Sequence, residues 1–314
     1  MGIALGEETL TKGARCILGP TVCAHRHPLG GRNFESFSED PYLAGKLASQ
    51  NIQGIQSTGV SATIKHFAAN EQETLRLSVD TIISERALRE IYLKPFEIAI
   101  KEANPGALMT AYTKVNGTHA DSQIFLLQTV LRGDWGWDGL VMSDWGGLNS
   151  TAESLKAGLD LEMPGPTRWR KIEAVLEAVK SGQVSEHVIN DRALRVLQFL
   201  KRQGCFEDPE IPEERAVNKP EHQQLIREAG AKGIVLLKNE GGLLPLTKEK
   251  ARGKKIAVLG LAKECLAHGG GSASVSTHYK ITPWDALQSA FKDGDVEFTF
   301  AEGMFSSTFD DFVC

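Results

Sequence analysis

The stretch Gly139-Leu-Val-Met-Ser-Asp-Trp-Gly-Gly147 constrains the fold more than any other part of the chain. A short apolar run leads straight into an acid, an indole and two glycines. That is the pattern of a parallel strand, buried on both faces, whose C-terminal end opens onto a loop. In an α/β barrel, that end of the strand is where chemistry is placed. Asp is also common at helix starts, so on spacing alone Asp144 serves equally well as a cap for a helix supplied by residues 148–155.

The same unit recurs on both sides. The periodicity predicts strands at 14–22, 59–67, 107–112 and 158–163, the last stopped by Pro164-Gly-Pro166. Helices are expected up to about residue 56, with Ser38 or Asp40 as cap and Pro41 in the first turn, and then over 84–100, 124–131, 172–181 and 185–202. Residues 25–33 read as a loop, broken by Pro28 and the Gly30-Gly31 pair. Strand-helix alternation of this kind predicts an α/β fold, either a barrel or a doubly wound sheet. The 314 residues allow one such domain of roughly 200–250 residues and part of a second. Glu207-Asp-Pro-Glu-Ile-Pro-Glu-Glu-Arg215, acidic and with two prolines, reads as the linker. The expected division is a barrel at 1–206, a linker at 207–222 and a second α/β unit at 223–314. In that unit helices are expected at 223–232 and 284–291, and strands at 233–239, 254–260 and 296–300.

Composition narrows the function. A net charge of −5 without charge blocks argues against nucleic-acid and membrane-surface partners. No apolar run reaches membrane-spanning length, and the opening residues lack the basic and apolar regions of a signal peptide. The five cysteines, Cys16, Cys23, Cys205, Cys265 and Cys314, are scattered and read as reduced structural thiols. His25, His27, His66 and His268 lack ligand spacing, so no metal and no cofactor is expected. The sequons at Asn116 and Asn149 read as chance matches unless the natural start lies upstream. The loop Gly269-Gly-Gly-Ser-Ala-Ser274 is not followed by the Lys-Ser/Thr pair of a phosphate loop, which argues against a nucleotide site. Neither compartment nor oligomeric state is set by these features.

Polar residues collect at the ends of the expected strands: Arg32, Lys65, His66, Tyr112, Asp144 and Trp145. Each alone has an ordinary explanation as a salt bridge, surface charge or core residue. Converging on one barrel mouth, they make a pocket suited to a sugar. Cations and amides grip hydroxyl groups, an indole covers the ring, and a carboxylate is placed to attack an anomeric carbon.

Five motifs, in order, carry a resemblance. They are Gly30-Gly-Arg-Asn-Phe-Glu-Ser-Phe-Ser-Glu-Asp-Pro41, Ile64-Lys-His-Phe-Ala-Ala-Asn-Glu-Gln-Glu73, Met109-Thr-Ala-Tyr112, Val141-Met-Ser-Asp-Trp-Gly146 and Gly233-Ile-Val-Leu-Leu-Lys-Asn239. Together they resemble glycoside hydrolase family 3, and within it the fungal β-glucosidase branch. The resemblance implies a TIM-like barrel followed by an α/β sandwich, here its first part, with the site between them. It also implies a retaining β-glucosidase acting on β-glucosides or oligosaccharides. Asp144 would be the nucleophile, Trp145 a subsite wall, and Arg32, Lys65 and His66 the residues that hold the glucose. Arg76, Met109 and Tyr112 would lie around the same subsite, with Glu39, Asp40, Asn70 and Glu73 in supporting roles. The loop at 269–274 would face the cleft.

The run Lys65-His-Phe-Ala-Ala-Asn70 departs from the N-acetylglucosaminidase pattern, while xylosidase and exo-glucanase relatives share most of the motifs. The resemblance further implies an opening barrel segment, with a sugar-gripping Asp, ahead of the first motif. It places the acid/base Glu beyond Cys314, so neither Glu264 nor Asp285 takes that role. The expectation is a member shortened at both ends: a β-glucosidase when complete, or an inactive remnant or glucoside-binding protein as it stands.

Overall fold

The computed structural model describes residues 1–264, 270–293 and 296–303. In chain order its elements begin α1 (Gly2–Thr11), β1 (Cys16–Ile17), α2 (Pro41–Gln56), β2 (Ser61–Phe67), β3 (Asp80–Thr81), α3 (Glu85–Ala87), α4 (Lys94–Ala103), β4 (Ala107–Thr110), β5 (Lys114–Val115) and β6 (Thr118–His119). They continue with β7 (Leu140–Met142), α5 (Ala152–Ala157), α6 (Ile172–Lys180), α7 (Glu186–Arg202), α8 (Pro220–Gly233), α9 (Lys248–Ala251), β8 (Lys254–Leu259), α10 (Pro283–Ala290) and β9 (Val296–Ala301). Two π-helical segments, Leu88–Tyr92 and Phe125–Asp134, complete the pattern. Contacts divide the chain into two compact units, Met1–Val217 and the residues from Asn218 on.

The first unit is built on a parallel sheet in the order β1-β2-β4-β7, which is also the order of the strands in the chain. A bridge from Met142 to Leu161 continues the series. Sequential parallel strands joined by helices make an arc of TIM-like α/β structure. β2, β4 and β7 are almost wholly buried, as strands covered on both faces must be. On one face Ile64, Leu108 and Val141 pack with Ile52 of α2, Phe96 of α4 and Leu126 and Leu127 of the second π-helix. On the other, Ala107, Met109, Leu140 and Met142 meet Val196 and Phe199 of α7.

Local chemistry explains the boundaries. Asp40 caps α2, its Oδ1 accepting from the Tyr42 and Leu43 N–H groups at 2.8 and 3.3 Å, with Pro41 in the first turn. Ser84 caps α3 through the Ala87 N–H. Gly45 lets α2 and α4 approach closely, since a Cβ there would lie 2.8 Å from Ile98. The backbone at Gly158, with φ of +106°, ends α5 in the left-handed region that glycine tolerates best.

Several expectations need correction. α1 has no counterpart among the expected elements; it packs on α2 through Gly2 and Gly6, which approach Asn51 and Thr58. The single helix expected at 84–100 is α3, a π-turn and α4 in succession. The strand expected at 158–163 shrinks to one bridge: the Asp160 and Leu161 N–H groups both bond to the Val141 carbonyl of β7, and the Leu161 and Met163 carbonyls accept from Ser143 and Gly146 in the loop beyond it. A small sheet, β3-β5-β6, was not foreseen. Residues 234–239 form no ladder among the described residues, and Ile234, Val235, Leu236 and Leu237 are 59–92% exposed. β-propensity without a neighbouring strand does not make a strand. In the second unit β8 and β9 pair in parallel, with Trp284 of α10 edge-on to Phe298 and Phe300.

Both sequon asparagines are already engaged. Asn116 exchanges two 2.9 Å bonds with the Ile83 backbone, and the Asn149 Nδ2 donates to the Gly147 carbonyl at 2.8 Å. Cys16, Cys23 and Cys205 are free thiols. Cys265, Cys314, His268 and Gly269 lie outside the described residues.

Candidate active site

Where β7 ends, Ser143 ties the chain to Met163, giving a bond to its carbonyl at 3.3 Å and taking one from its N–H at 2.9 Å. Asp144 follows. The Gly147 N–H then returns to the Asp144 carbonyl at 2.9 Å, so the loop curls immediately past the acid. This removes the helix-cap alternative: α5 starts only at Ala152, and the Ser154 N–H at its start is bonded by Ser150 instead. The Asp144 side chain turns inward. Only 7% of the residue is exposed, and Oδ1 accepts from the Trp145 N–H at 2.7 Å.

The other oxygen, Oδ2, has no hydrogen-bond partner among the described residues. It lies 3.5 Å from His66 Nε2. Arg32 Nη1 is 3.1 Å from the same ring nitrogen, while its Nε donates to Glu35. Glu35 Oε2 accepts from Thr21 Oγ1 at 2.8 Å and sits 3.8 Å from Lys65 Nζ. Lys65 and His66 arise at the end of β2, where its register against β4 is irregular between Ile64 and Phe67. Tyr112, just past β4, donates its hydroxyl to the Trp145 carbonyl at 2.8 Å. Its ring lies beneath Arg76, whose guanidinium carbon is 4.8 Å from the ring centre. Glu73 holds Arg76 at 2.5 Å and accepts from Asn70 at 3.3 Å. Trp145 stays 43% exposed beside the buried acid.

Burial dominates the electrostatics. It raises the Asp144 carboxyl above the ordinary 3.8, opposed by the Trp145 N–H, Tyr112, Arg32 and Lys65. Burial lowers Lys65, with Glu35 pulling the other way. His66 is pushed well below 6.5, first by burial and then by Arg32, Lys65 and Arg76, so the imidazole is neutral. Burial and then the neighbouring Asp144 raise the Tyr112 phenol. The result is a carboxylate with one oxygen fixed and the other unengaged, facing a neutral imidazole with the charges of Arg32 and Lys65 behind it.

Arg32, Lys65, His66, Arg76, Tyr112, Asp144 and Trp145 therefore come together. Met109 does not join the polar group: it is 2% exposed and packs with Ala107, Leu140 and Met142. Two partners were passed over in the sequence. Glu35 lies three residues after Arg32 on a short helical turn, a spacing that signals an ion pair. Thr21 gave no signal. His25 and His27 serve loop bonds, to the Asn33 carbonyl and from the Leu29 N–H.

A TIM-like arc with such an acid at a strand end defines a class, and comparison with known proteins identifies it. Residues 1–199 match the glycosyl hydrolase family 3 N-terminal domain, and residues 234–311 match the C-terminal domain of that family. The chain belongs to glycosyl hydrolase family 3. It is 67% identical over 303 residues to β-glucosidase B of Emericella nidulans, covering 96% of this chain and 36% of that protein. The crystal structure of a Kluyveromyces marxianus β-glucosidase in complex with glucose superposes with a TM-score of 0.89 at 44% identity, covering 95% of this chain and 36% of that one. β-Glucosidase 3B of Thermotoga neapolitana, in complex with glycerol, gives a TM-score of 0.85 at 40% identity, covering 99% and 43%. The chain thus spans little more than a third of the length of its curated relatives.

Proposed function

We propose that the chain carries the sugar-gripping and nucleophilic part of a retaining β-glucosidase, which releases glucose from terminal β-D-glucosyl groups. One observation carries this reading: a buried carboxylate at a barrel-strand end keeps Oδ2 unengaged, facing His66 and flanked by Arg32 and Lys65. In the first step Oδ2 attacks the anomeric carbon, the glycosidic C–O bond breaks, and the leaving oxygen takes a proton from a general acid. In the second, water attacks the glycosyl ester from the same face as the departed group, gives up a proton to the now deprotonated acid group, and frees Asp144 as a carboxylate. Arg32 and Lys65 donate to sugar hydroxyls, and His66, neutral, is held against the same group by Arg32. Trp145 supplies the apolar wall. The general acid is not assigned to a described residue. The printed names of the relatives, and the glucose complex of the Kluyveromyces enzyme, support the choice of sugar.

Dinitrophenyl β-glucoside tests the nucleophile alone, since its phenolate leaves without protonation. The protein should release a burst of dinitrophenolate, and Asp144→Ala should lower the rate by at least about 10³-fold. Cellobiose run alongside reads the acid: activity on the phenyl glucoside only would mean that protonation of the leaving group is what is lacking. Equal rates for the protein and Asp144→Ala would sink the assignment.

A further inference from the structure

Three residues beside the site, each with an unpaired buried polar atom, line one small cavity. His66 Nδ1, Asn70 Oδ1 and Glu71 Oε2 are closed off from solvent, with no hydrogen-bond partner among the described residues. All three residues line a single cavity of about 10 Å³, together with Cys23, Ala24 and Arg32. Buried polar atoms in native folds are paired, and each one left alone costs roughly 1–3 kcal/mol. Three around one cavity point to a shared partner.

Their chemistry matches one water molecule. Arg32 can only donate, so His66 Nε2 accepts, and a neutral imidazole must then carry its proton on Nδ1. Nδ1 is therefore a donor. Asn70 Nδ2 already donates to Glu73, which marks Oδ1 as the acceptor. Glu71 Oε2 accepts as well in the ionised carboxylate. A water that receives one bond from Nδ1 and gives its two protons to Oδ1 and Oε2 satisfies all three, and about 10 Å³ is the lower bound for housing it.

We propose that this cavity holds one ordered water, and that Asn70 and Glu71 act through it as positioning residues that fix the tautomer and ring orientation of His66. The Glu71 carboxyl is raised to about 7 by burial, eased by the Ala24 backbone and Arg26, as expected for a side chain shut into such a space. The kinetic consequence alone rests on the reading of His66 as part of the sugar grip.

Two measurements on the unsubstituted protein test the site directly. Nitrogen-15 histidine NMR should show His66 protonated at Nδ1 and bare at Nε2, and a high-resolution crystal structure should show one water within bonding distance of all three atoms. Glu71→Leu, which removes an acceptor, should mix the tautomers and lower kcat/KM for a glucoside by about tenfold, mostly through KM. Glu71→Gln keeps an acceptor and should restore the tautomer and most of the activity. A dry cavity, or His66 protonated at Nε2, overturns the proposal whether or not glucosides are cleaved. If Glu71→Leu does not fold, the unsubstituted protein and Glu71→Gln still decide the matter. An Nδ1 proton and a bound water in a protein without glucosidase activity would uphold the site and sink only the functional reading.

Discussion

At the scale of single residues, the role proposed for Asp144 requires it ionised, in a setting that resists ionisation. Its raised pKa has a definite sign in kinetics. The reactive form is lost as pH falls through a value above the ordinary 3.8, so the acid limb of kcat/KM belongs above that value. Lys65 is one of the charges that hold the limb down. Lys65→Met should therefore move it to higher pH, independently of the height of the profile. An acid limb that stays in place would show that Lys65 does not act on this carboxylate. Arg32, Lys65, His66, Tyr112 and Trp145, now grouped around Asp144, were legible in the sequence because each follows a strand or lies in a loop that must open at the same end, whereas Arg76 came only with the family resemblance. Glu35 was not legible, because an ion-pair partner is chosen by three-dimensional proximity and not by strand periodicity. Met109, expected around the same subsite, lies in the apolar cluster of Ala107, Leu140 and Met142, a neighbourhood that the register of β4 on β7 defines.

At the scale of elements, the strand that delivers Asp144 is three residues long and is held from outside. Asp160 accepts from the Val141 N–H at 2.8 Å and pairs with Arg132 at 3.2 Å and Arg192 at 2.9 Å, its own side chain wholly buried. One carboxylate thus joins β7 to the second π-helix and to α7. Burial works against both partners, raising Asp160 and pulling Arg132 down to about 10. Such a network is costly to break from one side. Asp160→Asn should destabilise the first unit by about 3–5 kcal/mol, read from denaturant midpoints at constant slope. A change below 1 kcal/mol, on the same scale, would mean the arginines find other partners. The alternation of strands and helices was legible because buried parallel strands and amphipathic helices leave different periods. The two π-segments were not, since both keep an apolar stripe that a helix of ordinary pitch would show. Nor was the failure of residues 233–239 to form a strand, because pairing depends on a neighbour that local sequence does not reveal.

At the scale of the whole chain, the clusters of buried apolar residues among the described residues lie in the first unit. Among the described residues of the second, only Ala251 and Phe291 are buried apolar side chains. Stability follows buried apolar area, so the two units should not melt together. Heating is expected to give two transitions, the earlier one reporting the Trp284 cluster and the later one the parallel arc. Calorimetry with tryptophan emission distinguishes this from a single cooperative step, which would show the units to be energetically coupled. The uncovered run Ile234-Val-Leu-Leu237 has a further consequence. It is β-prone, contains no proline and meets its first charge at Lys238, the composition of a segment on which copies of a chain can stack edge to edge. Concentration is thus expected to act on this run independently of heat, drawing copies of the chain together where dilution keeps them apart.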